Sequence, residues 1–348
     1  MRGWVRDELV RADGTVERSP WRPNLVVRGG LDLVAALLCE HEGARGLGWL
    51  AVGTGDGTWD ATPPPRDPAR RALTAEVARV ALQPGTRQLS YDEDGGRVVV
   101  RATFGRGVAT GTLRETGLFG GARASILAGS GVLVNHQAHG PIDKGPDDVL
   151  HRDVALVLGD DLGPGARALV GRLLARRPGT RGLTHLALGT GTDADPGPDA
   201  LVEERWRGRL DRRGVRYDAA TATVVVRARV DPAEVLATWP QGEPDADGRR
   251  APLPVREVGL LGGDARDGGI LVARTAVDLP PPDDPRPIEH TARLVLSART
   301  DVVVPDLSGQ ALDEARAALG ADLLLGEVVE RVVVGVSGGT VEAQAPPP

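Results

Sequence analysis

The chain has 348 residues, a formal net charge of −6, and 41% hydrophobic against 26% charged residues. That balance is ordinary for globular domains, and the length gives room for two or three of them, each with its own core. The weakly acidic charge supplies no basic surface for nucleic acid or for an anionic membrane. Lys144 is the only lysine. The Arg-for-Lys skew fits GC-rich coding, so abundant arginine is not read as a function.

Residues 1–23 read as an N-terminal extension. The stretch "MRGWVRDELVRADG" has no apolar core of a signal peptide, and no run reaches the roughly 20 residues that span a bilayer. The expectation is cytoplasmic synthesis without membrane insertion. A role outside the cell would then require export within a larger particle, or lysis.

From residue 24 a longer pattern starts. Residues 29–55, "GGLDLVAALLCEHEGARGLGWLAVGTG", align without gaps to residues 165–191, "GARALVGRLLARRPGTRGLTHLALGTG". Leu33, Val34, Leu37 and Leu38, and likewise Leu169, Val170, Leu173 and Leu174, follow helical spacing. Each helix is expected to stop at a glycine before "RGL" and a short apolar strand. Cys39 lies in the apolar row of the first helix and reads as a small core residue; as the only cysteine it forms no intrachain disulfide.

The correspondence continues. "LTAEVAR" (73–79) matches "LVEERWR" (201–207), placing Glu76 over Glu204 and Arg79 over Arg207. "YDEDGGRVVVRA" (91–102) matches "YDAATATVVVRA" (217–228), and "LRETGLFGG" (113–121) matches "VREVGLLGG" (255–263). The β-branched runs read as hairpin arms. "SGVLVNHQA" and "GGILVARTAVDL" read as buried strands, and "DVALVL" and "ARLVLS" close the two copies. "TPPPRDP" and "LPPPDDPRP" read as surface loops. A unit of about 130 residues written twice is a duplicated domain, because solenoid periods run about 20–50 residues. The expected fold is α+β, mainly β: two tandem antiparallel β-rich domains (24–160 and 161–300), each with an N-terminal helix, and a small C-terminal α/β domain (301–348).

In this order the motifs resemble a group of bacteriophage tail proteins of fibre, collar and baseplate type, found also in phage-like contractile injection systems. The motifs are "AVGTG", the Pro-rich loop, "L..E..R", "V.VRATF", "LRETGLFGG" and "IDKGPDD". The likeness covers residues 24–160 well and 165–298 more loosely. The second copy lacks the "IDK" element and carries the insertion "WPQGEPDADGRRAPLP". The resemblance implies a non-enzymatic, multi-copy particle component whose partners are other tail or baseplate proteins. Residues 301–348, with "VPDL.G..L.EA...L" and a closing "Q.P", resemble a PASTA domain that ends before its final strands. This implies either peptidoglycan contact or a small appendage of the same topology.

Sharper chemistries fit the residues less well. A dinucleotide loop needs G-x-G-x-x-G opening into a helix, whereas "GTGDGTWD" runs into prolines; turns with positive φ explain its glycines. His136, His139 and His151, with Asp143, Asp147, Asp148 and Asp153 nearby, have zinc-ligand chemistry but read as solvated loop residues. "DGTWD" (56–60) and "DADPGPD" (193–199) lack the twelve-residue calcium-loop grammar and read as turns. "AGSGV" is no nucleophile elbow. Glu115 and Glu257 recur at matching positions. As equivalent residues of different domains they are expected to pair with an Arg such as Arg114 or Arg256, or to accept turn amides, rather than to form a catalytic pair. No catalytic residue, cofactor or metal site is assigned. The rival readings are a cell-wall-binding module that uses the PASTA-like end, and a hydrolase of unrecognised residues.

Overall fold

Alternation of buried and solvent-facing side chains marks a half-buried strand. It runs through the first hairpin arm, where Val98, Val100, Ala102 and Phe104 are buried and Arg97 and Thr103 are exposed. The computed structural model describes residues 1–62, 64–159, 162–192, 200–263, 268–282 and 286–296. The PASTA-like stretch 301–348 and the "DADPGPD" loop lie outside them. The fold is α+β and mainly β, built from antiparallel sheets.

The first half begins with β1 (Arg2–Val10), β2 (Val16–Arg18) and β3 (Arg22–Val26), then α1 (Arg28–Leu38). It continues with β4 (Leu47–Gly53), β5 (Glu76–Ala81), β6 (Leu89–Asp92), β7 (Arg97–Phe104), β8 (Gly111–Gly120), β9 (Val132–Lys144) and β10 (Val149–Val157). The second half opens with α2 (Pro164–Leu174), β11 (Leu183–Gly189), β12 (Glu204–Arg209), β13 (Val215–Asp218) and β14 (Thr223–Val230). The insertion region supplies α3 (Pro232–Leu236), β15 (Gln241–Pro244) and β16 (Arg250–Pro252), and β17 (Val255–Gly262), β18 (Ile270–Leu279) and β19 (Ile288–Val295) follow.

The first half is one sheet in the order β5-β4-β8-β9-β3-β1-β10-β7-β6, with β2 beside β1. Among the described residues the second half has two larger sheets, β12-β11-β17-β18 and β13-β14-β19, and the two-stranded β15-β16. The shared pattern is visible in the registers. Gly53 faces Glu115 and Glu76, and Gly189 faces Glu257 and Glu204. Val98 faces Leu156, and Val224 faces Leu294. The first half differs through its N-terminus. Arg2–Val10, read from sequence as part of an extension, is a central strand paired along its whole length with β10.

Residues of both halves meet in one core inside the unit Met1–Arg299, with α1 against α2. The crossing is reciprocal. A methyl group on Gly46 would come within 2.3 Å of the Leu173 carbonyl at the end of α2, and one on Gly182 within 2.3 Å of the Leu38 carbonyl at the end of α1. Only a bare Cα allows such backbone contact. Ties between the halves surround it: Tyr217 Oη donates to Asp32 at 2.8 Å, and Arg181 binds Glu40 through two bonds of 2.7 and 2.8 Å.

Neither helix stops at its expected glycine. The last turns close three residues earlier, with His41 N–H on the Ala36 carbonyl and Arg177 N–H on the Arg172 carbonyl, each a Schellman cap. The left-handed residues of these caps are Glu40 (φ 52°) and Arg176 (φ 57°). Glu40 is held there by Arg181 and Arg212. At Arg176 burial pushes the guanidinium pKa down, and neighbouring Arg45 pushes it further. Arg176→Gly is therefore expected to raise stability by about 1 kcal/mol through relief of the left-handed strain, whereas Glu40→Gly gains little because it also breaks ion pairs. Thermal unfolding of the two variants checks the contrast.

Candidate functional site

The repeated "GTG" sits where β4 and β11 end, and its role is close approach more than turn geometry. Gly55 alone of the four glycines has positive φ, at 57°. A methyl on Gly53 would lie 2.6 Å from Glu115 Oε1, and one on Gly189 2.4 Å from Glu257 Oε1. The expectation of positive φ is thus corrected for the other three: these strands carry glycine because a buried glutamate needs the space.

Glu115 and Glu257 are both 0% exposed. Glu115 accepts from Ala75 N–H at 2.8 Å and Thr74 N–H at 3.0 Å, and it meets His136 Nε2 at 3.2 Å. Glu257 accepts from Glu203 N–H at 2.8 Å, Val202 N–H at 3.1 Å and Gly191 N–H at 3.3 Å, and from Arg274 Nε at 2.8 Å. Burial pushes the Glu115 carboxyl up, but the His136 bond and the Ala75 and Thr74 amides outweigh it, leaving it below the usual carboxylate range. Each glutamate therefore clamps the loop that leads into the next edge strand. The cationic partner is not the adjacent arginine: Arg114 binds Asp60 and Arg256 binds Asp278. The two side chains belong to different sheets, and their acceptor oxygens are occupied by amide donors.

The "L..E..R" motif has a similar internal use. A bulge between Val52 and Gly53, and another between Leu188 and Gly189, shifts the register of the edge strand. An extra residue in one strand brings positions i and i+3 to one side. Arg79 then grips Glu76 at 2.5 and 2.8 Å, and Arg207 grips Glu204 at 2.6 Å through both nitrogens. Their remaining nitrogens hold the far hairpin loop, through Ser125 and Ser130 carbonyls for Arg79 and the Gly268 carbonyl for Arg207.

The histidines are not loop residues. His136 and His139 are buried on β9, both 7% exposed, and His151 lies on β10 against Thr103. His139 belongs to a network that its sequence spacing does not reveal. Asp7 on β1 binds Arg152 and Arg22, and Arg152 Nη2 donates to His139 Nε2 at 3.1 Å. Because arginine only donates, His139 carries its proton on Nδ1 and gives it to the Gly140 carbonyl at 2.7 Å. Burial, with Arg152 adding to it, pushes the imidazole pKa down to about 3. The unfolded chain takes up this proton near pH 6.5, so stability is lost as pH falls from there toward 3. Unfolding free energy is expected to be about 2 kcal/mol lower at pH 5 than at pH 7 on this account, and His139→Gln to remove that portion of the slope in urea titrations at the two pH values.

The "IDKGPDD" element ties the β9–β10 turn down. Lys144, 2% exposed, donates to the Gly105 carbonyl at 3.0 Å. Asp148 accepts from Gly145 N–H, Ala12 N–H and Arg11. Asp56 caps a single 3-10 turn (Gly57–Asp60) by accepting Thr58 N–H, so "DGTWD" turns on its own side chains. Cys39 is buried, and burial pushes its thiol up to about 11. Among the described residues no group of three or more His, Cys, Asp or Glu is placed to hold a metal ion, and no helix is long and apolar enough to cross a membrane. Comparison with protein-family models, curated proteins and solved structures finds no match to this chain.

Proposed function

We propose that the chain is a non-enzymatic structural subunit of a phage tail or phage-like contractile injection particle, in its baseplate, fibre or collar region. One observation carries the reading: the motifs resembling that group occur in the same order, and their polar residues lock strands and loops together. Glu115, Arg79, Lys144 and Asp148 each spend their donors or acceptors inside the fold. A scaffold uses conspicuous charged residues in this way, whereas a catalyst keeps at least one aimed at a substrate. Two similar halves in one chain would offer similar faces to two sets of neighbours, and residues 301–348 would reach the cell wall or another particle protein.

The test is mass spectrometry of particles sedimented from the producing strain. Stoichiometric recovery with tube and sheath proteins is expected. Absence from intact particles, together with retention on purified peptidoglycan, would replace this reading with the wall-binding one.

A further inference from the structure

The two halves differ in what lies between their last two long strands. In the first half, β1 pairs with β10 from Arg2↔Val157 to Val10↔Val149, and β3 pairs with both β1 and β9. These two N-terminal strands join what would otherwise be two sheets. In the second half, β18 and β19 occupy the places of β9 and β10, and each is the last strand of its sheet among the described residues.

The side chains record the difference. On β10 the inward residues Leu150, Arg152, Val154 and Leu156 are at most 1% exposed. Their register equivalents on β19, namely Ile288, His290, Ala292 and Leu294, are only half-buried. On β18, Thr275 and Ala276 are exposed, where Gln137 of β9 is buried. A cleft of about 260 Å³, lined by Leu279, Pro280–Pro282 and Ile288 among others, opens where β18 hands over to β19.

We propose that β19 is an acceptor edge for a strand donated by a neighbouring polypeptide, laid antiparallel along Ile288–Val295 as β1 lies along β10. Exposed edge amides and carbonyls are a template for such pairing. The chemistry of the donor follows from the first half. There Gly3, Val5, Asp7 and Leu9 face inward, and Asp7 is required because it meets the buried Arg152. The equivalent of Arg152 is His290, whose imidazole burial keeps toward the neutral form. The donor therefore needs no carboxylate there: it is an extended segment with an apolar residue at every second position. Pro280–Pro282 and Pro287 border one end and confine the donor to about the length of β19. The proposal deepens the particle reading by naming how a neighbour attaches, and it can fail without affecting co-sedimentation.

The probe is a fluorescent peptide of residues 1–11 carrying Asp7→Val, titrated into the full chain with hydrogen exchange read in parallel. Saturable binding that slows exchange in 288–295 is expected, and Ala292→Glu is expected to weaken it at least about tenfold, about 1.4 kcal/mol. The wild-type exchange map stands independently of whether that variant folds. Absence of saturable binding would overturn the proposal. So would protection confined to β10, β5 or β6, or β19 amides already protected in the free chain, which would mean that the chain covers its own edge.

Discussion

An Asp7→Ala chain is expected to lose about 3–5 kcal/mol of stability and to unfold roughly 10 °C below the wild type. Asp7 is 4% exposed and is the carboxylate shared by Arg152, which is fully buried, and Arg22. Without it two guanidiniums remain beside a neutral His139, and Arg152, unlike the 28% exposed Arg22, sits in surroundings that cannot hydrate it. The loss measures an uncompensated buried charge more than the worth of the pair, so it should be largely recovered in Asp7→Ala/Arg152→Met, where apolar groups replace both partners. Burial pushes the Asp7 carboxyl up, but Arg152 and Arg22 outweigh it and hold it below the usual range. Its contribution is present above the ordinary carboxylate pKa and is lost only as pH falls through the lowered value, at the acid end of the window in which His139 acts. A single-variant loss under about 1 kcal/mol would mean that water reaches the network, contrary to its burial. Chemical denaturation of both variants at pH 7 decides between these.

How much of this was legible in the sequence depends on how far apart the partners lie. The helices could be read because Leu33, Leu37 and Leu38 meet one face through the helix's own geometry, and the arm 97–104 because its alternation is local. The N-terminal strand could not be read. "RGWVRDELV" places Asp7 on the inward face, which looks wrong for a core strand until Arg152, 145 residues later, is seen to meet it. His136 and His139 read as loop residues for the same reason: a polar residue on a buried face looks like a loop residue when its partner is distant. The glycines of "GTG" carry a real signal whose cause is ambiguous in the sequence. Glycine serves positive φ and close approach alike, and only the facing glutamate distinguishes the two. The signal for that glutamate was present in the recurrence of Glu115 and Glu257, each before a "GL.GG".

Glu115→Ala and Glu257→Ala are expected to destabilise the protein by about 3–5 kcal/mol each, with the larger loss at Glu257. Each substitution strands at least two loop amides that the carboxylate had satisfied, at about 1–3 kcal/mol per buried group. It also takes the carboxylate away from its basic neighbours, and the two sites differ in how many donors depend on it. Glu257 accepts from three loop amides and the Nε of Arg274, whereas Glu115 accepts from two amides and lies 3.2 Å from His136 Nε2 and 3.7 Å from Arg70. Removing Glu257 therefore leaves more donors without their acceptor than removing Glu115 does. Glutamine should rescue part of the loss at Glu115, since it keeps one acceptor oxygen for the Thr74 and Ala75 amides, and less at Glu257, where three amides and a cation compete for it. The same measurement separates scaffold from catalyst. A carboxylate kept for chemistry is held at a cost, and its removal often stabilises the fold. A rise in the unfolding midpoint of either alanine variant would reopen the hydrolase reading for that half. A fall in both, ordered with Glu257 the larger, is what two strand clamps require.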